Sequence, residues 1–219
     1  LLDTEEGKVM DSTMLDNDII KLKRIAAISH ATYTVTEKKE GGYEVEIKVE
    51  ENFTLIPSAN VWTASEEQLA FKVGLSDFNF LGRGMALGAF YQNNGYHTYG
   101  VNFWAPYLFS NKLGLAVHHQ NWKSLEPLYF ENQSANYLYN NRSLETLLLY
   151  EPNLNHKLQF GVNLFNEKYE YKEGDLPADA PLKLDVEKLL FKVIYDYDKL
   201  DYYYQYIKGF RSLLNAQYV

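Results

Sequence analysis

Asp77-Phe78-Asn79-Phe80-Leu81-Gly82-Arg83-Gly84 decides how the rest of the chain reads. Ahead of it, from about Glu67 to Asp77, apolar Leu69, Phe71, Val73 and Leu75 alternate with Gln68, Ala70, Lys72 and Gly74. Behind it, a second alternating segment opens near residue 85 and leads through Tyr99 to Phe103-Trp104-Ala105-Pro106-Tyr107. Alternation of period two marks strands with two unlike faces. Asn79 and the paired Gly82 and Gly84 supply the φ > 0 backbone that a tight reversal needs. The stretch therefore reads as a turn joining long antiparallel strands.

Working outward, strands are expected at 67–78, 85–93, 96–105, 112–122, 135–139, 143–151, 157–170, 187–198 and 201–218. The cleanest alternation sets Leu158, Phe160, Val162 and Leu164 against Gln159, Gly161 and Asn163. The first set suits hydrocarbon and the second a polar lumen, so the fold class is mainly β, an antiparallel transmembrane β-barrel. Asn93-Asn94-Gly95 is a hairpin turn, and residues 172–183, with two prolines and an acidic bias, form a loop.

Composition agrees. The 219 residues include 19 Tyr, 12 Phe and 3 Trp, and barrels use such amphipathic rings as girdles at the membrane interfaces. A mean hydropathy of -0.37 is what strands with one polar face produce. No apolar run approaches a spanning helix, so strands are the route by which this sequence would cross a bilayer. A formal charge of -8 and a pI near 5.2 argue against nucleic acid as a partner. With no cysteine there is no disulfide and no thiolate chemistry. The sequence opens Leu1-Leu2-Asp3 without an initiator Met or signal peptide, which reads as a mature or trimmed start.

Residues 1–56 have a different pattern. Asp11 or Ser12 is placed to cap a helix whose Leu15, Ile19, Leu22 and Ala26 share one face. Residues 30–36 then alternate, Gly41-Gly42 turn, and Val45, Ile47 and Val49 alternate with Glu44, Glu46, Lys48 and Glu50 as a half-buried hairpin. Residues 57–66 read as a linker and 67–219 as barrel strands.

The acidic-x-Asn-aromatic-x-Gly-x-Gly turn, followed one hairpin later by an aromatic-flanked Pro106-Tyr107, resembles the start of the barrel in the Omp85 superfamily. The helix and hairpin, with Asp18-Ile19-Ile20-Lys21-Leu22 and Val45-x-Ile47-x-Val49-Glu50-Glu51, resemble the second half of a POTRA module over residues 8–52, degenerate at Ile25-Ala26-Ala27-Ile28. Residues 1–7 are too few for that module's first strand and helix. The resemblance implies part of the last POTRA module followed by the N-terminal half of a 16-stranded barrel. It further implies a bacterial outer-membrane location with the N-terminal region in the periplasm, and an assembly factor that inserts other barrels. Its partners would be outer-membrane lipids, unfolded outer-membrane protein clients and periplasmic or lipoprotein accessory subunits. In this family the first barrel strand pairs weakly and templates the incoming strand. The client-strand pairing edge is accordingly expected at Glu67, Gln68, Leu69, Ala70, Phe71, Lys72, Val73 and Gly74, and the family turn motif at Asp77, Asn79, Gly82, Gly84, Pro106 and Tyr107. Ile207-Lys208-Gly209-Phe210-Arg211 looks like the family's Arg-Gly-aromatic loop only superficially, with Lys where Arg belongs. The same superfamily fold also serves translocators and patatin-linked barrels, and a self-contained small barrel with a structural or adhesive role and a soluble β-rich binding protein stand as the other readings.

Catalytic, cofactor and metal sites are expected to be absent. His118 and His119 are adjacent in a strand and point to opposite faces. Glu126, Glu131 and Glu145 have no spacing that fixes a carboxylate pair, and His30 sits at a helix-to-strand junction. Gly82 and Gly84 lack the third glycine and the Lys-Ser/Thr of a phosphate loop. No enzymatic activity is expected.

Overall fold

A computed structural model describes residues 2–65, 68–131, 133–202 and 206–219. The element order is α1 (Ser12–Lys23), β1 (Ile28–Glu37), β2 (Tyr43–Glu51), β3 (Leu55–Ser65), β4 (Gln68–Phe80), β5 (Met85–Asn93), β6 (His97–Ser110), β7 (Leu113–Phe130), β8 (Gln133–Asn153), β9 (His156–Gly174), β10 (Lys183–Tyr202) and β11 (Ile207–Tyr218). Strands β1 and β2 pair as a small sheet of their own. The other nine form one antiparallel meander in sequence order, from β3 at one edge to β11 at the other. The sheet is open, since β3 and β11 do not pair.

The N-terminal module is built around α1. Asp11, in extended backbone, caps the helix by accepting hydrogen bonds from the Thr13 and Met14 N–H groups. Leu15 and Ile19 are buried, as are Ala27 and Ala31 beside and within β1. The helix ends at Lys23, so Ala26 lies beyond it and is exposed, unlike the helical face expected. Asp18 is fully buried on the same helix. Its carboxylate accepts from Asp3 N–H at 2.8 Å, Thr4 N–H at 2.9 Å and the Thr4 hydroxyl at 2.6 Å, pinning the chain's start across the helix. Burial raises its pKa, but these bonds and the Lys21 charge more than offset that, and the group sits below the usual carboxylate value.

The large sheet separates its side chains by chemistry, and the separation runs against that of a water-soluble sandwich. The register places Leu144, Leu164 and Leu189 side by side, then Thr146, Val162 and Phe191, then Leu148, Phe160 and Val193, then Tyr150, Leu158 and Tyr195. This apolar band is on the open face: Phe160 is 47% exposed, Leu164 56% and Phe191 50%. The opposite, inner face carries Glu145, Asn163, Gly161 and Lys192, with the Lys192 ammonium donating to Glu145. Near one end it is filled by a cluster of Ala116, Leu147 and Leu149 with Trp104 packed against it. The sheet on β4 divides in the same way, with Leu69, Val73 and Leu75 exposed and Ala70 buried.

Several expected boundaries change, β7 running on to Phe130 past its expected end at 122 among them. Residues 57–66 are not a linker, because Leu55–Ser65 is a strand paired with β4 from Leu55↔Asp77 to Ser65↔Gln68. The expected strands 135–139 and 143–151 are one continuous strand of 21 residues. Asn140, Asn141 and Arg142 break the hydrophobic alternation without breaking the ladder, since each pairs on both sides. The stretch 201–218 enters a strand again only at Ile207, and Tyr203 to Gln205 lie outside the described residues.

Candidate functional site

The strand expected to present a free edge does not. Phe71, Lys72, Val73 and Gly74 are bracketed by β3 on one side, opposite Val61, Asn60, Ala59 and Ser58, and by β5 on the other, opposite Asn93, Gln92, Tyr91 and Phe90. Leu69 and Ala70 also pair with β3, opposite Thr63 and Trp62, and Gln68 faces Ser65; Glu67 lies outside the described residues. Gly74 shows how tightly the three strands fit. A Cβ there would sit 2.8 Å from Ser58 Oγ and 3.1 Å from Ala89 O. On the inner face the Lys72 ammonium lies 4.3 Å from the centre of the Phe90 ring, a cation–π contact that ties β4 to β5.

The sheet has two open edges, β3 and β11, and β3 is the one beside the strand expected to be free. Within the sheet it has β4 as its single neighbour, and its described side chains are exposed save half-buried Trp62. Its alternation is present but weak: Leu55, Pro57, Ala59, Val61 and Thr63 face outward, and Ile56, Ser58, Asn60 and Trp62 inward. Pro57 has no N–H to give a second neighbour, which an edge strand tolerates and a central strand does not. That proline and the small polar residues around it disguise the strand as a linker, although a proline within an alternating run is itself a sign of an edge.

The turn after β4 is held by side chains from its own motif. Asp77 Oδ1 accepts from Asn79 N–H at 2.9 Å, and Asn79 Oδ1 accepts from Gly84 N–H at 2.9 Å, closing the loop across its mouth. Positive φ falls on Leu81 (57°), Gly82 (67°) and Gly84 (63°). Asn79 is thus a side-chain clasp within the end of β4, not one of the left-handed residues it was expected to be. Gly84 serves a second purpose: a Cβ there would lie 3.3 Å from Ile25 Cγ2, so the turn abuts the N-terminal module.

Pro106 and Tyr107 lie where the β6–β7 ladder is interrupted between Ala105 and Ser110. The missing N–H of Pro106 costs nothing in that irregularity. Gly114 on β7 lets the bulge approach, since a Cβ there would lie 2.2 Å from Ala105 O and 2.3 Å from the Pro106 carbonyl carbon. Tyr107 donates its hydroxyl to Glu151 Oε2 at 3.0 Å, bridging β6 to β8. The two parts of the motif converge on one cavity of about 510 Å³ at this end of the inner face, where Ile25, Gly84, Trp104, Tyr107 and Glu151 meet. Two further bonds dock the module there: Arg24 Nη1 donates to Leu154 O in the β8–β9 turn, and Asn111 Nδ2 in the β6–β7 turn donates to Asp3 Oδ1. Ile25, which the sequence marked only as part of a degenerate stretch, and Arg24 before it, which no sequence signal singled out, are therefore, with Asp3, the module's contacts with the sheet.

His118 and His119 point apart. His118 lies beside Trp104 on the inner face, while His119 packs near Tyr99 and shares a hydrogen bond with Ser143 O at 2.8 Å. Among the described residues no three His, Cys, Asp or Glu side chains are grouped to hold a metal ion.

An open antiparallel meander with an apolar outer face, a polar inner face and an α+β module against one end defines the class: a mainly β fold whose sheet is divided as that of a membrane-type β-barrel is. By sequence the chain matches no family model and no curated protein. By fold it is similar to the crystal structure of BamA from Haemophilus ducreyi lacking POTRA domains 1–3, with a TM-score of 0.59 at 15% identity. The match covers 93% of this chain and 41% of that one, so the chain spans less than half of its structural neighbour's length. At this identity the likeness is one of fold.

Proposed function

We propose that the chain is the start of an Omp85-type outer-membrane β-barrel that assembles other barrel proteins, and that the open edge of β3 templates the client's strand. The observation that carries this reading is a strand paired on one side only, β3, at the margin of a sheet whose outer face is apolar and next to the N-terminal module. An N–H or C=O without a partner in hydrocarbon costs several kcal/mol, so such an edge and an unfolded client strand each gain by pairing. β3 has 11 residues, the length of a tilted membrane-crossing strand. No side-chain chemistry is required, and the reading assigns no catalytic group. The N-terminal module lies in the periplasm, where it offers its surface to accessory subunits, and the β4–β5, β6–β7 and β8–β9 turns share that side of the bilayer.

The test is proline substitution at two successive positions of β3, Asn60→Pro and Val61→Pro. Successive residues of an antiparallel strand direct their N–H groups to opposite sides, so one variant removes an edge donor and the other a bond to β4. The expected result is that the edge variant keeps a heat-modifiable barrel and loses client insertion. Normal insertion by both variants would refute templating at β3.

A further inference from the structure

Above the apolar band, at the end of the sheet remote from the N-terminal module, the outer face of β7–β9 changes character within two rows. The row at Leu144 and Leu164 is followed by Asn121, Arg142 and Asn166, and then by Lys123, Asn140 and Lys168. Amides and cations therefore alternate in both directions: Arg142 has an asparagine on either side, Lys123 pairs with Asn140, and Lys168 lies between Asn140 and Asp185. Lys168 is paired with Asp185 at 2.7 Å, and Asn166 donates to the same carboxylate at 2.7 Å. Glu187, exposed on β10 opposite Asn166, and Glu170, one row beyond Lys168 and paired with Lys172, are further acids on this face. Arg142 is exposed and Lys123 half-buried, and among the described residues neither has an acid within ion-pair reach. A groove formed by His119, Arg142, Leu144, Leu164, Asn166 and Glu187 runs from this patch down into the band.

The amides supply an independent sign. Asn121 is only 5% exposed, and its Oδ1, like that of Asn140, is shut off from solvent and accepts no hydrogen bond. A buried acceptor left unmade is costly. The last torsion of an asparagine is soft, so each amide can turn its oxygen toward the outer face and a donor there.

We propose that this patch binds the headgroup of a phosphorylated glycolipid in the outer leaflet. Arg142 and Lys123 meet a phosphate through charge-assisted bonds, sugar hydroxyls donate to the Asn121 and Asn140 oxygens, and the acyl chains lie along Leu144 and Leu164. A lipid lacking sugar hydroxyls leaves the amides unmet, and one lacking phosphate leaves the cations unmet. The inference rests on the outer-membrane reading, because it needs this end of the sheet to be the outer one.

The experiment is native mass spectrometry of the full-length protein, released from detergent after equilibration with hexa-acylated bis-phosphorylated lipid A, its dephosphorylated counterpart, or phosphatidylglycerol. Wild type is expected to retain the bis-phosphorylated lipid about tenfold better than either competitor, the scale of one charge-assisted bond. Arg142→Gln with Lys123→Gln should abolish that preference while the barrel remains heat-modifiable, and Lys48→Gln on the N-terminal hairpin should leave it intact. Equal retention of all three lipids, or an unchanged preference in the double variant, would overturn the proposal. A heat-modifiable barrel without the preference refutes this site alone. A protein that stays in solution without detergent and shows no heat-modifiable band refutes the barrel reading itself.

Discussion

Replacing Phe160 by Arg separates a membrane barrel from a soluble sheet by free energy. Phe160 lies in the middle of the outer band, 47% exposed, with Leu148 and Val193 as its cross-strand neighbours and Leu158 and Val162 along the strand. In water an exposed position of this kind tolerates substitution within about 0.5 kcal/mol. In a bilayer the same guanidinium enters hydrocarbon near its midplane, at a cost of about 2–4 kcal/mol. That cost corresponds to roughly 30-fold to nearly a thousandfold in the folding equilibrium. Asn166→Arg, on the same face of β9 but beyond the band, should cost no more than about 1 kcal/mol, because the side chain is then at the interface. The assay is urea-dependent folding of the full-length protein into phospholipid vesicles, followed by tryptophan fluorescence and by heat-modifiable migration. A Phe160→Arg variant within about 0.5 kcal/mol of wild type, or an Asn166→Arg variant equally impaired, would refute the assignment of the band to lipid.

Other outcomes follow from particular contacts. Gly114→Ala should destabilise the barrel by about 3 kcal/mol or more, since its Cβ meets Ala105 and Pro106 backbone that cannot yield; Gly161→Ala, whose Cβ meets the Leu147 side chain at 2.4 Å, should cost nearer 1 kcal/mol and be relieved by Leu147→Ala in a double-mutant cycle. Asp18 has a folded-state pKa below its unfolded value, so its contribution is fully present above the unfolded value of 3.8 and lost as pH falls through the lowered one. Amide exchange at Asp3 and Thr4 should therefore accelerate in that acidic window, and Asp18→Asn should give the faster exchange at neutral pH. Gly84→Val should strain the left-handed turn by about 1–2 kcal/mol and press on Ile25, loosening the module from the sheet; proteolysis near residue 25 that is no faster than in wild type would count against that docking.

What the sequence disclosed depended on how local each signal was. Alternation at Leu158 to Leu164 exposed both faces of β9, because apolar and polar residues there fall strictly on opposite parities. The cap was narrowed to Asp11 or Ser12, since capping is settled within three residues, and it falls on Asp11. β8 was read as two strands because Asn140-Asn141-Arg142 has the composition of a turn; only cross-strand pairing to Lys123 and Lys168 shows that the polarity marks the rim of the band and not the end of the strand. β3 is hidden by Pro57, Ser58 and Asn60, and with it the sheet's edge on that side, so the open edge is expected one strand too late. The turn motif at Asp77, Asn79, Gly82 and Gly84 was found, but its clasp and its contact with Ile25 depend on partners 5 and 59 positions away. No window of alternation encodes such contacts.

The central claim is that a client strand adds to β3, and cysteine crosslinking during client assembly tests it most directly. These 219 residues hold no cysteine, so each substitution is the single thiol that this stretch contributes. Full-length protein carrying Ala59→Cys or Val61→Cys on β3, or Val73→Cys on β4, is mixed with an unfolded outer-membrane protein bearing one cysteine in a terminal strand. The account predicts disulfide-linked adducts at the β3 positions and none at Val73, which already has neighbours on both sides. Adducts at Val73, or none on β3 while the client still inserts, would contradict it.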